Sequence, residues 1–118
     1  MEITSIGVVG SGQMGNGIAQ VAACSGFEVT MVDVEQEYID RGMVSIGDSL
    51  GRLVRKGRMT EEESAAAQSL ISTSIGLEPL ARCDLVVEAL PEVPELKFST
   101  YSELDSISKP ESILASNT

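Results

Sequence analysis

Histidine and tryptophan are absent from this 118-residue sequence, and phenylalanine and tyrosine occur only twice each. Without imidazole, histidine general acid–base chemistry and most zinc sites are excluded within these residues. Basic residues are scarce as well: eight lysines and arginines face 18 acidic residues, for a net charge of −10 and an isoelectric point near 4.3. That balance argues against general binding to nucleic acid or to anionic membranes. The two cysteines, Cys24 and Cys83, belong to no metal-spaced cluster and read as small buried hydrophobes in a reducing compartment. No apolar run approaches the ~20 residues that span a bilayer. Met1 leads almost directly into an apolar strand, leaving no room for a signal peptide, so the expected location is the cytoplasm. The length suits a single domain with an ordinary core.

Glycine is what the sequence has, and in one place above all. An apolar β-branched run over 3–9 stops at Gly10, and a helical pattern begins near Gln13 and runs to Gly26. Gly10, Gly12 and Gly15 carry the spacing G-x-G-x-x-G between that strand and that helix. Each glycine has its own physical task. At Gly10 a tight turn excludes a Cβ, at Gly12 the backbone can approach a pyrophosphate, and at Gly15 helix and strand pack closely. The helix N-terminus then directs unpaired N–H groups and the positive end of its dipole at the anion. A second strand over 28–32 ends at Asp33, where an acidic residue would accept hydrogen bonds from an adenosine ribose. Val34 and Glu35 follow, with no cation for a 2′-phosphate, so the cofactor implied is NAD rather than NADP. The plainer alternative is that Asp33 caps the next helix.

Further on, a helix over about 35–56 carries Tyr38, Gly42, Met43, Ile46, Leu50, Leu53 and Val54 at three- and four-residue spacing, forming one face, with Gly57 as its C-cap. Thr60 with Glu63 reads as a capping box that opens a second helix. A helical hairpin therefore stands between the second and third strands, expected to project from the sheet and reach over the ligand crevice. The third strand is expected over 71–74, a short connection with Leu77 and Leu80 facing inward, a fourth strand over 84–90, a helix from Pro91 to about Ile107, and a fifth strand over 112–115. Strands alternating with helices predict an α/β fold: a doubly wound, Rossmann-type parallel sheet in the order 3-2-1-4-5, with ligand at the carboxyl ends of the first and fourth strands. Four of the eight basic residues (Arg52, Arg55, Lys56 and Arg58) cluster at the hairpin's turn. They would either welcome a second anionic ligand or simply complement a helix C-terminus.

Taken in order, these motifs resemble the N-terminal NAD-binding domain of the 3-hydroxyacyl-CoA dehydrogenases, most closely the short bacterial 3-hydroxybutyryl-CoA dehydrogenases. The resemblance rests on residues 6–20, Asp33, the hairpin, Asp84-Leu85-Val86-Val87-Glu88-Ala89, Glu92 with Leu96-Lys97, and Ala115-Ser116-Asn117-Thr118. It implies that Gly10, Ser11, Gly12, Gln13, Met14 and Gly15 hold the pyrophosphate and Asp33 the ribose. By the same resemblance Glu92 and Lys97 contact the nicotinamide half, Asn117 lies where nicotinamide and substrate meet, and Ser49 and Lys56 touch coenzyme A. An acyl-CoA substrate is implied with them.

Two departures qualify the match. Leu90-Pro91-Glu92-Val93-Pro94 stands where the family often has Val-Glu-Asn, and its two prolines remove two N–H donors. The family's catalytic histidine and its partner glutamate, which lie beyond the Ser-Asn-Thr turn, are not among these residues, and neither is the helical C-terminal domain that closes the acyl site and forms the dimer. The 118 residues are thus expected to be the cofactor half of a homodimeric dehydrogenase, inactive alone. Two other readings are a β-hydroxyacid dehydrogenase acting on a small acid, and an NAD-sensing regulatory module without chemistry.

Overall fold

Short apolar runs build the sheet. In the computed structural model, which describes residues 2–90, 94–108 and 113–116, they form β1 (Ser5–Val9), β2 (Glu28–Val32), β3 (Ile71–Ser74), β4 (Leu85–Glu88) and β5 (Ile113–Ser116). Every neighbouring pair is parallel, in the order β3-β2-β1-β4-β5. Val9 stands opposite both Val32 and Glu88, which brings the carboxyl ends of β1, β2 and β4 level. The connections are α1 (Gln13–Cys24), α2 (Gln36–Arg55), α3 (Glu61–Ser69), a 3-10 turn at Glu78–Arg82, and α4 (Pro94–Ile107). The winding reverses between β1 and β4, as the expected doubly wound fold requires.

Two apolar layers cover the sheet. On one face Ile6, Val8, Val29 and Met31 pack against Ala19, Ala22 and Ala23 of α1, where the small side chains let helix and sheet approach closely. On the other face Val9, Val32 and Val86 meet Leu80, Cys83 and Leu104. Gly7 belongs to this second face, where a Cβ would come 2.5 Å from Leu80 Cδ2, so the bare residue makes room for the fully buried leucine.

The hairpin's turn is capped on both sides. At the close of α2 the Gly57 N–H donates to Val54 O (3.0 Å) and the Arg58 N–H to Leu53 O (2.9 Å), with Gly57 at φ +73°. This is the double bond pattern that ends helices on a left-handed glycine. At the start of α3 the Glu63 N–H donates to Thr60 Oγ1 (3.1 Å) and the Thr60 N–H to Glu63 Oε1 (2.9 Å), so the expected capping box is formed.

Three expectations are corrected. The hairpin does not stand clear of the sheet: Ile46, Leu50 and Ala67 join the alanines of α1 in one buried cluster, because its apolar stripe has α1 to pack on. Ile39 (1% exposed) takes the core position assigned to Tyr38, which is 42% exposed; one residue of helical rotation, about 100°, separates the two faces. For the same reason Cys24 is exposed while Ala22 and Ala23 are buried. Cys83 is buried as expected. The expected helix start over 91–93 lies outside the described residues.

Alkylation under native conditions should therefore modify Cys24 and spare Cys83 until the chain unfolds. Partial burial pushes the Cys24 thiol pKa up, so its reaction should lag that of free cysteine and accelerate as the pH rises. Equal native labelling of both thiols, read by mass spectrometry, would contradict this packing.

Candidate functional site

A crevice of about 1150 Å³ opens over the carboxyl ends of β1 and β4, walled by the start of α1 and one flank of α2. Its floor is the glycine elbow, whose three glycines differ in what surrounds them. Gly10 has φ +109°, and a Cβ there would meet Ala89 O at 2.7 Å. The Gly10 N–H donates to Val32 O and the Ala89 N–H to Val9 O, both at 2.8 Å, so the elbow is pinned to its two neighbouring strands. A Cβ at Gly15 would stand 1.8 Å from Gly10 O, a distance no side chain tolerates. At Gly12 a Cβ would meet nothing within 4 Å. Gly10 and Gly15 are thus demanded by the fold, whereas Gly12, exposed on the crevice floor, is not.

Gly12 is also the N-cap of α1, with no side-chain cap bond and no acidic residue in the first turn. The N–H groups of that turn and the positive end of the helix dipole are left for a ligand. Opposite them stands Asp33. Its Oδ2 accepts the Ser11 N–H (2.8 Å) and the Ser11 Oγ–H (2.7 Å), and its Oδ1 accepts the Val34 N–H (2.7 Å). The N-cap of α2 is Glu35, without a side-chain cap bond, so Asp33 clasps the elbow and does not cap the helix. At the other rim Glu88, fully buried at the end of β4, accepts the Leu90 N–H at 2.6 Å, which fixes the segment beside Ala89.

The hairpin reaches the crevice as expected, through α2, but Tyr38, Arg41 and Ser45 were not foreseen in its wall. Tyr38, Arg41, Ser45, Ser49 and Arg52 line the crevice at steps of three and four residues, a polar stripe beside the apolar one. That spacing was available in the sequence as a second face. Gln20 Nε2 donates to Ser49 Oγ at 2.9 Å and ties α1 to this wall. Gly42 lets the wall approach, since a Cβ there would come 2.7 Å from Ser11 O.

Comparison with known proteins agrees with this geometry. The family model described as "3-hydroxyacyl-CoA dehydrogenase, NAD binding domain" matches residues 5–118. The chain belongs to that family. A probable 3-hydroxybutyryl-CoA dehydrogenase of Deinococcus radiodurans is 49% identical over 112 residues, which is 95% of this chain and 40% of that protein. The 3-hydroxybutyryl-CoA dehydrogenase of Bradyrhizobium diazoefficiens is 46% identical over 116 residues, 98% of this chain and 40% of that one. The crystal structure of (S)-3-hydroxybutyryl-CoA dehydrogenase from Ralstonia eutropha superposes with a TM-score of 0.96 at 38% identity, covering 99% of this chain and 41% of that one. The chain thus spans about two fifths of the length of the curated relatives it matches.

The residues present fit the NAD of this dehydrogenase family. An open Cβ position at Gly12 between two closed ones is the cradle a diphosphate needs, and Asp33 keeps acceptor capacity beyond its three protein donors. Gly10, Ser11, Gly12, Gln13, Met14 and Asp33 all line the crevice, with Gly15 buried beneath them. The basic cluster divides. Arg52 faces the crevice, Arg55 lines a groove between α2 and α3, and Lys56 is an exposed cap outside the crevice lining. Glu92 and Asn117 lie outside the described residues, and Lys97 is placed on α4 by its backbone alone. No helix among the described residues is long and apolar enough to cross a membrane.

Alanine at Gly15 and at Gly12 separates fold from site. Gly15→Ala should cost about 3 kcal/mol or more, as overpacking against rigid backbone does. Gly12→Ala should cost less than about 1 kcal/mol. Urea unfolding with the two midpoints equally lowered would refute the assignment of Gly12 to the ligand.

Proposed function

We propose that this chain is the cofactor-binding domain of an NAD-dependent (S)-3-hydroxyacyl-CoA dehydrogenase, with 3-hydroxybutyryl-CoA the substrate favoured by the relatives' names. The observation that carries the reading is Gly12: a glycine the fold does not require, on the floor of the crevice, at the start of an uncapped helix. Residues 1–118 form the cofactor unit. A helical domain outside these residues completes the acyl site and pairs two subunits, and the protein works in the cytoplasm.

In this reading the backbone N–H groups from Gly12 to Gly15, at the start of α1, hold the diphosphate, those of Gly10 and Ser11 being bonded to Val32 O and Asp33 Oδ2, and the Asp33 carboxylate accepts from the adenosine ribose. Glu92, Lys97 and Asn117 take the nicotinamide end, with Asn117 next to the reacting carbon. NAD supplies the hydride acceptor for the substrate's C3 hydrogen. The chain's own part is to bind and orient. With no histidine in the sequence, the base that takes the proton from the 3-hydroxyl comes from outside these residues. Ser49 receives coenzyme A, and Lys56 meets its charge from the end of α2. The lining that runs from Gly12 to Ser49 and Arg52 in one crevice supports a long anionic thioester over a small hydroxy acid.

Two outcomes test this. At a hundredfold excess over its Kd, NAD should stabilise the chain by about 2.7 kcal/mol, seen as a rise in Tm. Gly12→Val should lower the unliganded Tm only slightly and lose that rise; a retained rise refutes the diphosphate site. Added coenzyme A should shift the amide signals of Ser49 and Arg52 in a nitrogen-15 spectrum, and unmoved signals would turn the substrate reading toward a small acid.

A further inference from the structure

Ser11 sits between the two outer glycines of the elbow, yet it is only 2% exposed while Gly12 beside it is open to the crevice. Its N–H and its hydroxyl converge on one oxygen, Asp33 Oδ2, at 2.8 and 2.7 Å. Its carbonyl accepts from Asn16 Nδ2 at 3.2 Å and backs onto Gly42, where a Cβ would crowd both Ser11 O and Ser11 Cβ. The serine is therefore held on three sides, by β2, α1 and α2. Alanine would fill almost the same volume, so packing does not explain the hydroxyl. A buried hydroxyl is costly unless bonded, and its bond goes to the carboxylate that faces the crevice.

Free to turn, an aspartate explores a broad, roughly two-fold χ2 well. Two donors on Oδ2 and a third on Oδ1 remove that freedom before any ligand arrives. We propose that Ser11 is a positioning residue for the adenosine ribose, its buried hydroxyl holding the Asp33 carboxylate in the one orientation that presents its remaining lone pairs to a vicinal diol and its charge against a 2′-phosphate. The inference rests on the NAD reading above and adds to it where the ribose selectivity comes from. The ordering that a mobile acid would undergo on binding is already complete in the free site.

The test uses the full chain, with NAD and NADP titrated by calorimetry into the parent, Ser11→Ala and Ser11→Gly. Loss of the hydroxyl should weaken NAD by roughly tenfold, the scale of one bond to a charged acceptor. NADP should weaken much less, so the NAD/NADP affinity ratio falls. A hydroxyl that merely stiffened the turn would lower both affinities in proportion and leave the ratio unchanged, which would overturn the proposal. If neither variant folds, hydrogen exchange on the free parent decides instead. The Ser11 amide should be protected before NAD is added, and fast exchange there would overturn it. Failure of the parent to bind NAD would remove the cofactor reading itself, whereas NAD binding with an unchanged ratio in both variants would remove this inference alone.

Discussion

Backbone packed against backbone at the glycine elbow is the constraint on which the remaining structure hangs. The carbonyl of Gly10 lies where a side chain on Gly15 would have to be, and the carbonyl of Ala89 where one on Gly10 would be. With those two positions bare, α1 can start immediately at the end of β1 and lie against the sheet on Ala19, Ala22 and Ala23. From that placement the other walls follow. Ile46, Leu50 and Ala67 find an apolar surface on α1, and α2 is drawn close enough for Gly42 to touch Ser11. A contact of a few atoms thus sets the direction in which the N-terminus of α1 faces.

The crevice also resolves an electrostatic conflict. A chain with a formal charge of −10 is proposed to take an anionic dinucleotide and an anionic thioester. Screening reduces exposed charges beyond about 8 Å at physiological salt, so the net charge matters less than the donors at hand. Those are the N–H groups of an uncapped helix, with Arg41 and Arg52 along the α2 wall. Arg41 is partly neutralised by its ion pair with Glu37 one turn earlier. Asp33, the acid nearest the elbow, is itself clasped by two donors of Ser11.

Much of this was legible in the sequence, and the legible parts share a cause. The elbow, the tip of β2 at Asp33, the capping box at Thr60 and the glycine stop after α2 are local: the residues that satisfy one another are close along the chain or stand in a strand–turn–helix unit of fixed geometry. Faces of helices were less secure. Tyr38 and Ile39 are both apolar enough for a core, and only the direction of α1 and the sheet selects the second. Cys24 fails in the same way, one step past the buried alanines. The polar stripe from Tyr38 to Arg52 carries a readable period, but a polar period is equally that of a solvent-facing flank until a second wall stands across from it.

By itself the sequence determined the alternation of strands and helices, the sheet order, and the identity of the glycine elbow and its acidic neighbour, because each depends on short-range sterics and on hydrophobic period. The tertiary structure alone decided that a side chain at Gly12 would meet nothing, that Ser11 holds Asp33, that Gly42 is a contact point, and that Arg52 but not Lys56 lines the crevice. Those facts depend on how segments about 20 to 40 residues apart meet in space, and meeting is set by the packing of whole faces that no local pattern encodes.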